Sequence, residues 1–296
     1  MVVYMEEIIK APILPPRNGN NITARREAVF KAQSKKIYKQ NTLIRQGRAK
    51  LTIHEQRTIA YLCSLIPYPS DGNIKNIPRD YIFNIDDYCT ICNLSKDGGM
   101  YLRETKKVLK KLHDKSMYIK NADGNEVLVS WVEKVWILNK NLDPSTNGKG
   151  KNVKVRLDED LLPYLIGLQE TLTEYGFWCA LRFTSTYSAI LLELLESYID
   201  EEKQTTTFEI SVEELKHHLM VEDVKSYSDF GVFRSRCLEL ALKEINEYTN
   251  LQVKMEYIKE SRKIVKVRFV ISHKQLALIQ TKQEELLNIT MEKDLC

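Results

Sequence analysis

One order of elements occurs twice along this chain, and it constrains the fold more than any single motif. Each half begins with an amphipathic helix. Thr52-x-x-Glu55 is a capping box, followed by Ile59, Leu62, Cys63 and Ile66 at i, i+3, i+4 and i+7, which predicts a helix over about 52–66 that ends at Pro67. Its counterpart runs over about 185–199 and carries Ile190, Leu191, Leu194, Leu195 and Tyr198. A short strand then leads into a second helix: Phe83 and Ile85 before a helix over about 87–94, and Phe208-Glu-Ile210 before Ser211-x-x-Glu214. The latter is another capping box, with Ile210 and Leu215 placed as a hydrophobic staple. Third helices follow over about 99–115, with Leu102, Thr105, Leu109 and Leu112 on one face, and over about 229–248, through Phe233, Cys237, Leu240, Ala241 and Tyr248. Each half closes with a hairpin. The first is Met117 to Lys120, an Asp123-Gly124 turn and Val127 to Leu138; the second is Leu251 to Ile258, a turn at Lys259-Glu-Ser-Arg262 and Ile264 to Ile271.

Three helices followed by a two-stranded ribbon is the order of a winged helix, the helix-turn-helix variant whose third helix enters the major groove. The expected fold class is therefore α+β, two tandem winged-helix domains, mostly helical, each with a β-hairpin wing. The expected division is a mobile N-terminal arm (1–35), an N-terminal winged helix (36–177), a C-terminal winged helix (178–275) and a terminal helix or tail (276–296). The arm reading rests on Pro12, Pro15, Pro16 and the polar run Arg17-Asn-Gly-Asn-Asn21. Between the two units lie a Lys/Gly/Asn-rich loop from Asn139 to Asn152, a strand at Val153 to Leu157, a helix from near Asp158 and a connector around Thr171 to Phe177.

Charge is informative by its placement rather than its sum. The 296 residues carry 44 Lys and Arg against 40 Asp and Glu, a formal +4, while 43% hydrophobic and 28% charged residues describe an ordered chain. Yet residues 96–120 hold eight cations against three acids, and residues 254–274 hold seven against two. Clusters of this kind release counterions from DNA and give affinity without sequence information. The candidate backbone-contacting residues are Arg103, Lys106, Lys107, Lys110 and Lys111 on the first third helix, and Lys259, Arg262, Lys263, Lys266 and Arg268 on the second wing. Base reading falls to Arg234, Ser235 and Arg236, with Lys243 further along the same helix. The competing reading of these cations is a solvated helix face and surface salt bridges.

Enzyme constellations are scarce. Gly148-Lys-Gly-Lys151 departs from the P-loop, with Ser at 145 and Asn at 152, and reads as a flexible loop. The histidines, at 54, 113, 217, 218 and 273, lack the His-hydrophobe-His spacing of a metal-dependent nickase. Asp86-Asp87 and Asp158-Glu-Asp160 stand at helix starts, where capping and the helix dipole explain them. Cys89-Thr-Ile-Cys92 has no second pair or nearby His and reads as two small buried hydrophobes; the six cysteines are expected to be reduced. No catalytic residue, metal or cofactor is expected. Apolar runs such as Ala189 to Leu192 are far too short for a membrane span and the start carries Glu6 and Glu7, so a cytoplasmic protein without membrane partners is expected.

Tyr38-Lys-Gln-Asn-Thr-Leu-Ile44 followed by Leu51-Thr-Ile-His-Glu-Gln-Arg57 resembles the N-terminal signature of the plasmid replication initiator proteins of the RepA/RepE/π type. Leu181-Arg-Phe-Thr-Ser-Thr-Tyr187, Phe208 to Leu215, Phe233 to Ala241 and Lys243-Glu-Ile-Asn246 extend the resemblance over about residues 36–272. The chain departs from many relatives in its Lys/Gly-rich loop and in carrying Leu240 where a Pro often precedes the matching Ala. The resemblance implies a theta-mode initiator that binds tandem double-stranded repeats, or iterons, as a monomer, in equilibrium with a homodimer that represses its own gene. It further implies base reading by the C-terminal winged helix at Arg234, Ser235 and Arg236, with DNA contacts and the dimer interface in the N-terminal one. Host initiator and replicative helicase would be the protein partners. Two other readings compete: a dimeric winged-helix repressor without a replication role, and a metal-dependent nickase or nuclease.

Overall fold

The computed structural model describes residues 5–15, 21–67, 77–94, 100–121, 123–138, 152–166, 172–200, 202–274 and 276–295. The first half comprises β1 (Met5–Lys10), α1 (Ile22–Gln33), β2 (Lys36–Gln40), α2 (Asn41–Gln46), α3 (Ile53–Leu65), β3 (Pro78–Asn84), α4 (Ile85–Ile91), α5 (Tyr101–Asp114), β4 (Ser116–Lys120), β5 (Glu126–Ser130), β6 (Val132–Ile137), β7 (Asn152–Leu157), α6 (Leu162–Ile166) and β8 (Leu172–Gly176). The second comprises α7 (Phe177–Arg182), α8 (Thr186–Glu196), β9 (Thr205–Ser211), α9 (Val212–His218), α10 (Phe230–Phe233), a π turn (Arg234–Leu238), α11 (Glu239–Tyr248), β10 (Leu251–Glu260), β11 (Lys263–His273) and α12 (Leu276–Leu295).

Both capping boxes form. Thr52 accepts from the Glu55 backbone N–H while the Glu55 carboxylate accepts from that of Thr52, and Ser211 and Glu214 do the same at the start of α9. In the first half the second helix starts at Ile85 rather than near 87, because the Asn84 side chain accepts from the N–H groups of Asp86 and Asp87. Strands β10 and β11 pair antiparallel, and β9 pairs along β11, closing a three-stranded sheet under the helices. Val267, Phe269 and Ile271 face inward from β11, and Phe208 stacks on Phe269.

Several expectations are corrected. The expected mobile arm at 1–35 is part of the fold where it is described: β1 pairs in parallel with β3, and α1 buries Arg25, Val29, Ala32 and Gln33. Arg25 donates to the Pro15 carbonyl at 2.6 Å and faces Asp87, whose carboxylate also accepts from the Leu14 N–H. Asp87 is therefore the buried anchor of this segment, a role beyond the helix dipole. The expected long strand from Val127 to Leu138 is two strands: β5 pairs with β4, and β6 leaves to join β7 in a four-stranded sheet ordered β1-β3-β7-β6. The break falls where Ser130 N–H donates to Asp158 and Trp131 turns inward. Asp158 also accepts from Asp160 N–H, and the helix expected from there begins at Leu162. Within the expected connector, residues 172–176 form β8, which returns to pair with β2. The Lys/Gly-rich loop and Gly148-Lys-Gly-Lys151 lie outside the described residues, apart from Asn152, which begins β7.

A third helix over 229–248 is present, but it is not uniform. The π turn at Arg234–Leu238 inserts one residue into the helical register, so that Cys237, Leu238, Ala241, Leu242 and Ile245 point inward. Leu240, expected on the apolar face, is turned out to solvent and 43% exposed.

The two halves meet through a polar joint over a continuous apolar core. From α3, Gln56 donates to the Thr186 carbonyl at 2.8 Å and Arg57 to the Phe183 carbonyl at 3.0 Å. From α11, the buried Glu244 carboxylate accepts from Thr184 N–H and hydroxyl, Ser185 N–H and the Ser188 hydroxyl. Lys39 on β2 adds a buried ion pair to Glu193 on α8 at 2.6 Å.

Candidate nucleic-acid interface

The interface is built on the third helix and wing of each half. In the second half Asp229 caps the helix by accepting from Val232 N–H at 3.0 Å, which fixes where the reading face begins. Arg234 is held by Glu239, Nε to Oε1 at 3.0 Å, within the π turn. Ser235 is exposed and donates back to the Val232 carbonyl. Arg236 and Lys243 are exposed and have no ion pair among the described residues. Asn246 pins this helix to the wing, accepting from Val253 N–H at 2.6 Å and donating to the Val253 carbonyl at 2.9 Å.

The wing turns at Ser261 and Arg262, with Ser261 at φ 56°, where a two-residue connection needs a left-handed residue. Lys259, Arg262, Lys263 and Lys266 are exposed around this tip, and none has an ion pair among the described residues. A groove of about 630 Å³ separates the wing tip from the start of the helix; Asp229 and Arg234 line one side, Arg262 and Lys263 the other. Arg268 is different. It lies between Glu209 at 2.7 Å and Glu256 at 3.4 Å, and the Glu209 hydrogen bond raises its pKa further. Its charge is matched within the sheet.

In the first half, Arg103, Lys106, Lys107, Lys110 and Lys111 are all exposed on α5. Lys110 pairs with Asp114 at 2.5 Å, Arg103 and Lys107 share Glu104 at 3.8 Å, and Lys111 approaches Glu55 at 3.9 Å; Lys106 has no ion pair among the described residues. The β4–β5 hairpin beside α5 exposes Tyr118 and Leu128, cross-strand partners on its outer face. The first-half cations thus form a partly neutralised field, whereas in the second half Arg234 and Arg268 are matched and Arg236, Lys243, Lys259, Arg262, Lys263 and Lys266 have no ion pair among the described residues.

The cysteines among the described residues are withdrawn from solvent. Cys63, Cys89, Cys92, Cys179 and Cys237 are buried free thiols; burial pushes Cys63 up to about 11 and raises Cys92 well above the ordinary thiol value. No group of three or more His, Cys, Asp or Glu suited to a metal ion occurs among the described residues, and no helix there is long and apolar enough to cross a membrane.

Glu244 and Asn246, within Lys243-Glu-Ile-Asn246, are structural residues to which the sequence alone assigns no role. A signal was available for Glu244: an acid beside Ala241 and Ile245 on the inner face of an amphipathic helix must find buried donors. The outward turn of Leu240 had no such signal, because one inserted residue in the helical register leaves the composition of the segment unchanged.

Comparison with known families decides what this architecture is. The model of the first winged helix (WH1) of initiator replication proteins matches residues 36–196, and that of the second (WH2) of initiator Rep proteins matches residues 211–271. The chain belongs to the initiator replication protein family. Among curated relatives of this initiator, the PI protein of Escherichia coli is 31% identical over 123 residues, covering 38% of this chain. That match spans 40% of the relative's own length. A solved structure of the Pi initiator protein in complex with iteron DNA superposes with a TM-score of 0.63 at 22% identity, over 82% of this chain and 99% of that one. The likeness establishes the fold of the initiator, two tandem winged helices of α+β class.

Proposed function

We propose that this initiator binds tandem repeats of double-stranded DNA, iterons, at a theta-type plasmid origin, and that bound copies open the adjacent duplex. The observation that carries the reading is the pairing of two winged helices with cations on the helix and wing of the second that have no ion pair among the described residues: Arg236, Lys243, Lys259, Arg262, Lys263 and Lys266. That arrangement suits base reading from the helix and phosphate contact from the wing. The α5 cations of the first half add backbone contacts, so one chain covers two segments of a repeat. The structurally similar Pi protein is bound to iteron DNA, which supports the same ligand here.

On this reading the protein acts in the cytoplasm without catalysing a covalent step. It spends its binding energy on bending or destabilising neighbouring duplex. The N-terminal winged helix would also serve a homodimer in equilibrium with the monomer, and host initiator and replicative helicase would be recruited once the origin is open.

Fluorescence anisotropy against duplex from the region flanking the gene and against a shuffled duplex, at two salt concentrations, tests the reading. The expected result is a preference of about 10³-fold or more with stepwise occupancy of direct repeats. Equal, salt-sensitive binding to both duplexes would leave a basic DNA-coating protein, and occupancy of a single palindrome would leave a repressor.

A further inference from the structure

The outward face of the recognition helix carries a residue that neither packing nor phosphate contact explains. Leu240 is 43% exposed although a continuous α-helix from Phe233 would turn it inward. It stands four residues after Arg236 and three before Lys243, so the three side chains share one face and the leucine lies between two cations. That setting selects its occupant. An apolar side chain framed by unmatched positive charge complements a surface that is anionic overall and apolar at a point, and among the base edges of the major groove only thymine presents an apolar group, its C5-methyl.

We infer that Leu240 reads thymine by packing against its C5-methyl, with Arg236 and Lys243 holding the helix in the groove on either side. The inference rests on the iteron-binding reading and adds a specific chemical group to it. It makes Leu240 a specificity-determining residue, and it gives the π turn a consequence: the inserted residue exchanges Leu240 for Leu238 in the core and frees a leucine for the DNA.

The experiment replaces each thymine of the recognised repeat singly with uracil, which removes the methyl and leaves base pairing and O4 intact. Full-length protein should bind about threefold to tenfold more weakly at one or two positions and unchanged elsewhere. Leu240→Ala should bind the parent repeat more weakly by a similar factor and no longer distinguish thymine from uracil at those positions. Lys243→Ala should weaken both duplexes and keep the distinction. A thermal melt of Leu240→Ala equal to the wild type excludes misfolding, since the side chain is exposed. Insensitivity of the wild type to every uracil, or unchanged sensitivity in Leu240→Ala, overturns the inference while the iteron reading stands. If Leu240→Ala leaves DNA binding intact but shifts sedimentation, the face belongs to a second copy and the inference is likewise overturned. Failure of the wild type to prefer any repeat defeats the iteron reading itself, an outcome read before any uracil is introduced.

Discussion

Replacing Glu244 should damage this protein more than replacing any of its exposed cations. Its carboxylate accepts at 2.9 Å from Thr184 N–H, at 2.5 Å from the Thr184 hydroxyl, at 3.3 Å from Ser185 N–H and at 2.5 Å from the Ser188 hydroxyl, with the residue 5% exposed. In Glu244→Ala the two hydroxyls can rotate toward other acceptors, but the two backbone N–H groups cannot. Each of these part-buried donors left unpaired costs up to about 1–3 kcal/mol, and removing a buried charge returns part of its desolvation penalty, so the net loss should be about 1–4 kcal/mol. Glu244→Gln keeps the shape and one acceptor oxygen but turns an amide N–H toward existing donors, and should cost about 1–2 kcal/mol. Equilibrium urea unfolding of the full chain, followed by circular dichroism, measures both. Anisotropy on the repeat should show Glu244→Gln weakened as well, because this contact holds α11 against the start of α8. An alanine variant costing under about 1 kcal/mol, or a glutamine variant as damaged as the alanine one, would refute the reasoning that these hydrogen bonds, and not apolar packing, fix the helix.

Three further outcomes are expected. Burial holds His218 at about 4, against an ordinary 6.5, with Arg48 and His217 lowering it further and Glu193 opposing. The unfolded chain therefore takes up this proton first: the full native stability is present above about pH 6.5, declines as pH falls toward about 4 and levels off below, a loss of up to about 3 kcal/mol. The urea-midpoint difference between pH 7 and pH 4.5 should accordingly shrink in His218→Gln, and an undiminished difference would locate the acid sensitivity elsewhere. On the wing, Lys263→Ala should reduce the slope of log K against log salt by about one, whereas Arg268→Ala, matched by Glu209 and Glu256, should leave it nearly unchanged; equal slopes would make Arg268 a phosphate contact. Arg25→Ala should lower stability by about 2–4 kcal/mol by removing the cation beside the buried Asp87 and the donor to the Pro15 carbonyl, seen as a lower Tm and faster proteolysis of the N-terminal segment; wild-type behaviour would return residues 1–35 to the status of an arm.

The elements legible in the sequence were those with local, redundant signals. Thr52 with Glu55 and Ser211 with Glu214 announce helix starts by residue type and spacing, and the β11 alternation of Val267, Phe269 and Ile271 with Lys266 and Arg268 announces a half-buried strand. What escaped depended on distant partners. Residues 172–176 become a strand only because β2, more than a hundred residues earlier, offers an edge. The break at Trp131 depends on Asp158, and the ordering of the N-terminal segment on Asp87 and Thr90. Among the candidate DNA contacts, residue type revealed which groups were cationic but not which were matched: Arg268 and Arg234 are matched by Glu209 and Glu239, while Lys263 and Arg236 have no ion pair among the described residues.

Of the stretches on which the family resemblance rests, Phe233 to Ala241 carries proposed DNA contacts, whereas Leu51 to Arg57, Leu181 to Tyr187 and Lys243 to Asn246 meet one another. Gln56 and Arg57 of the first stretch donate to the carbonyls of Thr186 and Phe183 in the second, Thr184, Ser185 and Ser188 in and beside the second donate to Glu244 of the last, and Asn246 of the last ties the helix to the wing through Val253. A buried polar joint tolerates few residue types, since each donor and acceptor must be satisfied at fixed geometry. Phosphate contacts tolerate either basic residue at any of several positions, because they act mainly through charge. A recognisable signature is therefore to be expected at the joint, with more freedom of residue type at the positions that touch only phosphate. The joint also has a mechanical consequence: it links α3 to α11 through a single short segment, residues 183–188, so the spacing between the two winged helices is set by hydrogen-bond geometry rather than by linker length. A protein that must register two segments of one repeat needs such a spacing, and one that read a single segment would not.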